Sequence, residues 1–238
     1  MSALRYQVIR GILATVVMFL ATLPATGSFA QDMKMNGIWL PDGGRSQRTP
    51  SPLPYSTAGR EAVTDWQAGR DPQEDDPGRF CQAPGMPSLA LSGAGYPMEI
   101  VITDDQVLML LEIHQQIRRV FLDSEHPART LPQRNGHSVG HWEGNTLVVD
   151  TTAIRPIFFG AVPHTDQVHV VERLRVTDNG YTLVNEVTIT DPALYTQPIV
   201  VERYFTAAPE GTLMLEYECS ESMWIEHEES RGFEPFSL

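Results

Sequence analysis

Between Gly136 and Thr152 the sequence reads GHSVGHWEGNTLVVDTT, which sets His137, His141, Trp142, Glu143 and Asp150 within a few residues of one another. Histidine titrates closest to neutrality of any side chain. A carboxylate beside it makes a set that could move protons. His164 and His169 follow, which raises the question of a metal. A zinc site needs three or four ligands converging at about 2.0–2.1 Å, usually with a recognisable spacing. The spacing of His137, His141, His164 and His169 is irregular, and no metal is expected. Ser138 lacks the strand–turn–helix context of a nucleophile elbow. No glycine-rich phosphate loop or dinucleotide fingerprint occurs, so no cofactor is expected either.

The elements that must position these residues are strands. The Gly136–Thr152 stretch is a hairpin, because Gly144-Asn145 separates two strand-like runs. With a two-residue turn, Trp142, Gly140 and Ser138 share a face with Leu147, Val149 and Thr151, and His137, His141 and Asp150 point the other way. A one-residue bulge would reverse part of that assignment. VHVVERLRVT-DNGY-TLVNEVTIT is a second hairpin about Asn179-Gly180, and PIVVERYFTA-APEG-TLMLEYECS reads as a third. MEIVIT and VLMLLEI flank a polar turn, and RRVFLD is a further run. No crossover helix separates these runs, so the sheet should be antiparallel. The fold class is all-β: a lipocalin-like up-and-down barrel or strongly curved sheet, with a β-sandwich as the alternative.

Strand alternation then moves attention inward. In the second hairpin Val170, Glu172, Leu174 and Val176 share one face with Leu183, Asn185, Val187 and Ile189. That face is apolar apart from Glu172 and Asn185, so Glu172 should point into the interior. The opposite face carries His169 and a cross-strand Arg173–Glu186 pair. In the third hairpin the inward set carries Arg203 and, on the following run, Tyr217 and Cys219. A buried carboxylate must find a partner or stay protonated. Either Glu172 and Arg203 form a structural pair that holds register, or Glu172 is a tuned acid/base in a ligand pocket where Arg203 or Tyr217 steadies an oxyanion. His137 and Asp150 are conditional partners at the rim. Asn185, Trp142, His164 and Arg119 are candidate ligand contacts.

The first thirty residues have the form of a cleaved export signal. Arg5 and Arg10 precede an apolar stretch from Gly11 to about Pro24, and Ser28 and Ala30 are the small residues at the cleavage site. The stretch is shorter than the roughly 20 residues that span a bilayer, so no lasting membrane anchor is expected. The protein should be periplasmic or secreted. Removal of two arginines turns the formal net charge of −13 over 238 residues into −15. No basic patch is visible, which argues against a nucleic-acid partner. The exported chain's two cysteines, Cys81 and Cys219, should form a disulfide. Residues 31–95 read as an irregular Pro/Gly-rich segment packed on the barrel, with a short strand in GIWL (Gly37–Leu40) and one helix in STAGREAVTDWQA capped by Ser56 or Thr57. The barrel occupies 96–222, and 223–238 form an acidic tail with a helical turn near Trp224–Glu228.

The Gly136–Thr152 block, followed by VHVVERLR, TITDPALYTQP and LEYEC, resembles a family of exported bacterial proteins of unknown function. That family carries a GHSxGxWEGDTLVVDT block, a later ER, an EDPxxYTxPW block, an EYxCEEN ending and a CxPxGxP element matched here by Cys81, Pro84, Gly85 and Pro87. The resemblance adds weight to the Cys81–Cys219 pairing. This chain departs from it with Asn145 and with CSES at the ending. It implies a family, not a reaction. The residues themselves suggest a cofactor-independent lyase or isomerase acting on a small, partly apolar molecule. The alternative is a periplasmic carrier that uses the same cavity without chemistry. In a third reading the barrel interior is simply filled.

Overall fold

The computed structural model describes residues 34–71, 74–92, 95–219 and 221–232, so the expected signal segment 1–30 lies outside the described residues. Nine strands form the body: β1 (Gly37–Pro41), β2 (Met98–Ile102), β3 (Gln106–Leu111), β4 (Gln116–Leu122), β5 (His137–Glu143), β6 (Thr146–Thr152), β7 (His169–Thr177), β8 (Thr182–Thr190) and β9 (Ile199–Ala207). Each pairs with its neighbours in chain order, and β9 returns to β1, so one sheet closes into a barrel. A two-sheet sandwich is thereby ruled out. Closure gives every strand a neighbour on both sides, although β4 meets β5 over only three residues.

The hairpin registers follow the turn chemistry. Gly144 adopts φ +62° in the β5–β6 turn. The pairs His137↔Thr152 and Trp142↔Leu147 are those of a two-residue connection without a bulge. In β7–β8, Glu172 lies opposite Val187 and Leu174 opposite Asn185. Alternation then fills the interior with Leu147, Val149, Val170, Leu183, Val187 and Val201, all fully buried.

Three features differ from the sequence reading. The seam between β4 and β5 is parallel, not antiparallel, and joins only Val120–Leu122 to Ser138–Gly140. The connection across it, residues 123–136, carries no helix. Second, residues 213–219 are not a strand, and the third hairpin does not form. Their apolar alternation is real, yet Leu213 and Leu215 are 75% and 68% exposed. The free edge of β9 is taken instead by β1, through Trp39↔Ala207 and Pro41↔Phe205. Third, the short strand expected at Gly37–Leu40 forms as β1, but it is a stave of the barrel and not part of a segment merely packed on it. The indole N–H of the buried Trp39 donates to the Met35 carbonyl at 2.8 Å.

Helix α1 (Thr57–Gly69) starts where the sequence places it, with the Gly59 N–H donating to the Ser56 hydroxyl at 2.9 Å. A short helix, α2 (Ser88–Ser92), carries the buried Leu89, Ala90 and Leu91 against the barrel core. The tail forms a longer helix than expected, α3 (Glu221–Ser230). None of the described helices is long and apolar enough to cross a membrane. Cys81 and Cys219 are bonded, with their Cα atoms 5.7 Å apart and 138 residues between them in sequence. A loop of that length is worth about 4–5 kcal/mol in the chain-entropy account of disulfides. The Cys81→Ser/Cys219→Ser variant should therefore lose about 2–5 kcal/mol in urea titration. Reduction of the unmodified chain should add the mass of two hydrogens. An unchanged unfolding midpoint would contradict the assignment of the bridge as a major staple.

Candidate functional site

Two polar networks lie on opposite faces of the β5–β6 hairpin. The inner one centres on Glu172, which is 1% exposed, as strand alternation requires. Its partner is Arg118 on β4, 4% exposed, whose Nη2 approaches Glu172 Oε2 to 2.5 Å. The Asn185 amide donates to the other carboxylate oxygen at 2.9 Å. Arg118 Nη2 also donates to the Thr151 hydroxyl at 2.9 Å and to Ser138 Oγ at 3.2 Å. Its Nη1 reaches the Met109 sulfur at 3.7 Å. Ser138 is thus a buried ligand of an arginine within a strand, not a nucleophile on an elbow.

The partners expected for Glu172 lie elsewhere. Arg203 does belong to the inward set of β9, opposite Asn185. Its guanidinium reaches the barrel end, where Nη1 donates to the Gln47 carbonyl at 2.5 Å. Partial burial pulls its pKa down. Tyr217 lies on no strand and packs partly buried against the core, with its ring centroid 4.5 Å from that of His114 and 5.5 Å from that of Tyr96. The reason is the missing hairpin: with β1 on the edge of β9, residues 213–219 cannot enter the sheet. Arg119 points outward and its neighbour Arg118 inward, the reverse of an interior role for Arg119. His164 is fully buried with its ring nitrogens 3.1 Å from the Val162 and Arg155 carbonyls, and burial depresses its pKa. It ties a loop. Trp142 packs partly buried against the core, as its face predicts. Arg173 stands opposite Glu186, but its ion pair is with Glu143, at 2.6 Å.

The space beside Glu172 is small. The chamber lined by Met98, Met109, Arg118, Glu172, Asn185 and Phe205 holds about 20 Å³. That is room for roughly one water molecule. The helix α2 contributes Leu89 and Ala90 to its wall. Among the described residues, this chamber is the space that adjoins the carboxylate, and it is too small for a substrate.

The larger opening is in the barrel wall. Below the short parallel seam, β4 and residues 133–137 separate, and a cleft of about 410 Å³ lies between them. Ile117 and Phe121 give it apolar surface, and Arg118, Arg119, Asn135 and His137 give it polar surface. Gly136 shapes this edge. It adopts φ +67°, and a Cβ there would lie 2.5 Å from the Thr152 carbonyl oxygen. The Asn135 side chain donates to Gln116 Oε1 at 3.3 Å, but its own Oδ1 is buried without a hydrogen-bond donor. A buried acceptor left unpaired costs about 1–3 kcal/mol.

The outer network runs into the same cleft. His137 stacks on Phe121 with centroids 5.3 Å apart. Its Nδ1 lies 2.9 Å from His126 Nδ1, His126 Nε2 lies 2.9 Å from Asp150 Oδ1, and His169 Nε2 lies 2.7 Å from Asp150 Oδ2. His126 was not singled out from the sequence, because it lies in the irregular 123–136 connection where no periodicity points to it. Burial, and then the neighbouring His126, hold the His137 pKa below its ordinary value. The hydrogen bond with Asp150 raises that of His169. Contacts with His169 and His126 hold the Asp150 carboxyl below the usual range, against partial desolvation. Among the described residues no group of three or more His, Cys, Asp or Glu is arranged to hold a metal ion.

No protein-family model matches the chain, and no curated protein matches it. Solved structures do resemble it. The REP1-NXSQ fatty acid transporter, solved in a mutant form, aligns with a TM-score of 0.38 and 13% identity over 74% of this chain and 99% of its own. A secretory abundant heat soluble protein from Ramazzottius varieornatus aligns with a TM-score of 0.37 and 11% identity over 74% of this chain and 96% of its own.

Two outcomes follow. Arg118→Met should destabilise by about 3–5 kcal/mol, because it strands a buried carboxylate, and Arg118→Met/Glu172→Leu should recover much of that loss. Chemical denaturation of both variants checks this; equal stability of the single variant and the unmodified chain would contradict it. The Asp150–His169 contact should stabilise only within a window. The raised His169 pKa contributes fully below about pH 6.5 and is lost as pH rises through the folded value. The lowered Asp150 pKa contributes above about pH 3.8 and is lost as pH falls through its folded value. The gap in urea midpoint between the unmodified chain and Asp150→Asn should therefore be widest between about pH 4 and 6.5. A gap independent of pH would contradict the pairing.

Proposed function

We propose that this chain is an exported binding or carrier protein for a small, partly apolar organic anion, held in the cleft between β4 and the Arg134–His137 segment. The observation that carries the reading is the contrast of volumes: about 410 Å³ in the wall against about 20 Å³ in the interior. Small-molecule sites typically enclose about 300–1,000 Å³. The cleft's chemistry fits an anion with an apolar body. Arg119 offers a guanidinium fork suited to a carboxylate. Phe121 and Ile117 offer apolar surface, and Asn135 and His137 add polar groups to the wall. The acidic balance of the chain makes a local concentration of arginine at one cleft more telling than it would be on a basic protein.

Export belongs to the same reading. The Cys81–Cys219 bond supports an oxidising compartment, and the resemblance of the Gly136–Thr152 block to exported bacterial proteins agrees with it. Acid/base conversion of a ligand by Glu172 is the weaker reading, since that carboxylate is paired on both oxygens' side by Arg118 and Asn185 and adjoins too little space. Phenylacetate, an inert aromatic carboxylate, is a suitable probe. Calorimetry with the full exported chain should give saturable one-site binding, weakened about tenfold or more in Arg119→Met, the loss of one charge-assisted contact. Undiminished affinity in that variant, or no saturable binding, would overturn the reading.

A further inference from the structure

We infer that the cleft also carries an acid/base centre, in which His137 takes a proton from carbon next to the carbonyl of a bound 2-oxo acid, with His126 and Asp150 as positioning residues. The inference rests on the cleft being an anion site. What it adds is chemistry, and it begins from the order of hydrogen bonds.

Asp150 is an acceptor only, so the His126 nitrogen 2.9 Å from it must carry a proton. With Nε2–H donating to the carboxylate, the other nitrogen of a neutral His126 is an acceptor. It faces His137 Nδ1 at 2.9 Å, so His137 must carry its proton on Nδ1. The His137 Nε2 is then the unprotonated nitrogen. It makes no hydrogen bond among the described residues, and its ring lines the cleft. Thr152 Oγ1, 3.3 Å from His126 Nδ1, helps to hold that ring. A base in hydrogen-bond contact with an orienting group that is itself held by a third is the arrangement expected of a proton-transfer site. The lowered His137 pKa, from burial and the neighbouring His126, agrees with a ring that is neutral before it takes the proton.

The step balances within the site. A C–H bond of the substrate breaks and its electron pair forms the C=C bond of an enolate. The carbonyl π pair moves to oxygen, where the Arg119 guanidinium can meet it. The proton goes to His137 Nε2. As it arrives, the Nδ1 proton can pass to His126 across the 2.9 Å contact, leaving the positive charge on the ring beside Asp150. Return of a proton to carbon completes an isomerisation or an exchange, with no co-reactant. The charged groups around His137 are Arg118 and Arg119 on β4, Arg134 on the adjoining segment, and Asp150 with His169 behind His126. Glu172 takes no part, since it is shielded by Arg118.

Phenylpyruvate is the probe, because it joins a carboxylate, a ketone, an acidic methylene group and an aromatic ring. The full exported chain in deuterium oxide should exchange the methylene protons at least about 100-fold faster than buffer, the scale of one general base. His137→Gln should return the rate to that of buffer. Asp150→Asn, which removes no group lining the cleft, should lower turnover per folded chain about 100-fold with the half-saturation concentration unchanged; a merely structural role would leave turnover per folded chain unaltered. Phenylpyruvate that binds saturably in calorimetry without catalysed exchange overturns the acid/base centre and leaves the binding site intact. Failure to bind overturns both. Exchange that survives His137→Gln overturns His137 as the base.

Discussion

The buried contact between Arg118 and Glu172 is the constraint on which the barrel depends. Its members come from five consecutive strands: Arg118 from β4, Ser138 from β5, Thr151 from β6, Glu172 from β7 and Asn185 from β8. A slip of one residue in any of these strands would send its member to the outer face. In β4 or β7 that would leave the opposite charge buried and uncompensated, which costs several kcal/mol, and in β5, β6 or β8 it would remove a hydrogen-bond partner of the pair. The network therefore does what apolar residues of equal volume cannot: it distinguishes the native register from its neighbours. This matters most at the β4–β5 seam, where only three residue pairs hold two parallel strands together.

The same register commits the outer face. Because strand side chains alternate, fixing Ser138 and Thr151 inward fixes His137, Asp150 and Thr152 outward. The outer residues then gather His126 and His169. One hairpin so serves two networks, and its glycines fit that double duty. A Cβ on Gly140 would lie 2.7 Å from Val120 Cγ1, so this residue lets β4 and β5 approach at the seam. Gly136 turns the chain into β5 directly before His137.

How far this was legible in the sequence depends on where parity could be fixed. Glu172 could be read as interior because an Asn-Gly turn sets the pairing and both strands alternate cleanly. Arg118 could not, since Arg118 and Arg119 are adjacent and no tight turn says which of them faces the core; the parity of β4 is decided by Val120 and the buried glutamate. His126 lies in irregular chain, where alternation says nothing. The run 213–219 shows that alternation alone is insufficient. It has a strand-like pattern, but the edge it would have joined is occupied by a strand from the opposite end of the chain.

That occupant, β1, bears on how the ring can be assembled. From β2 to β9 every seam joins strands adjacent in the chain, so each brings together segments with short or moderate loops between them. Pairing Trp39 with Ala207 closes a loop that takes in most of the barrel. Once Cys81 and Cys219 are joined, the path between the two residues runs only through 39–81 and 207–219, about a third as long. Loop-closure entropy grows with the logarithm of length, so oxidation lowers the cost of the last seam by about 1 kcal/mol. The covalent link thus makes the barrel easier to shut as well as harder to open.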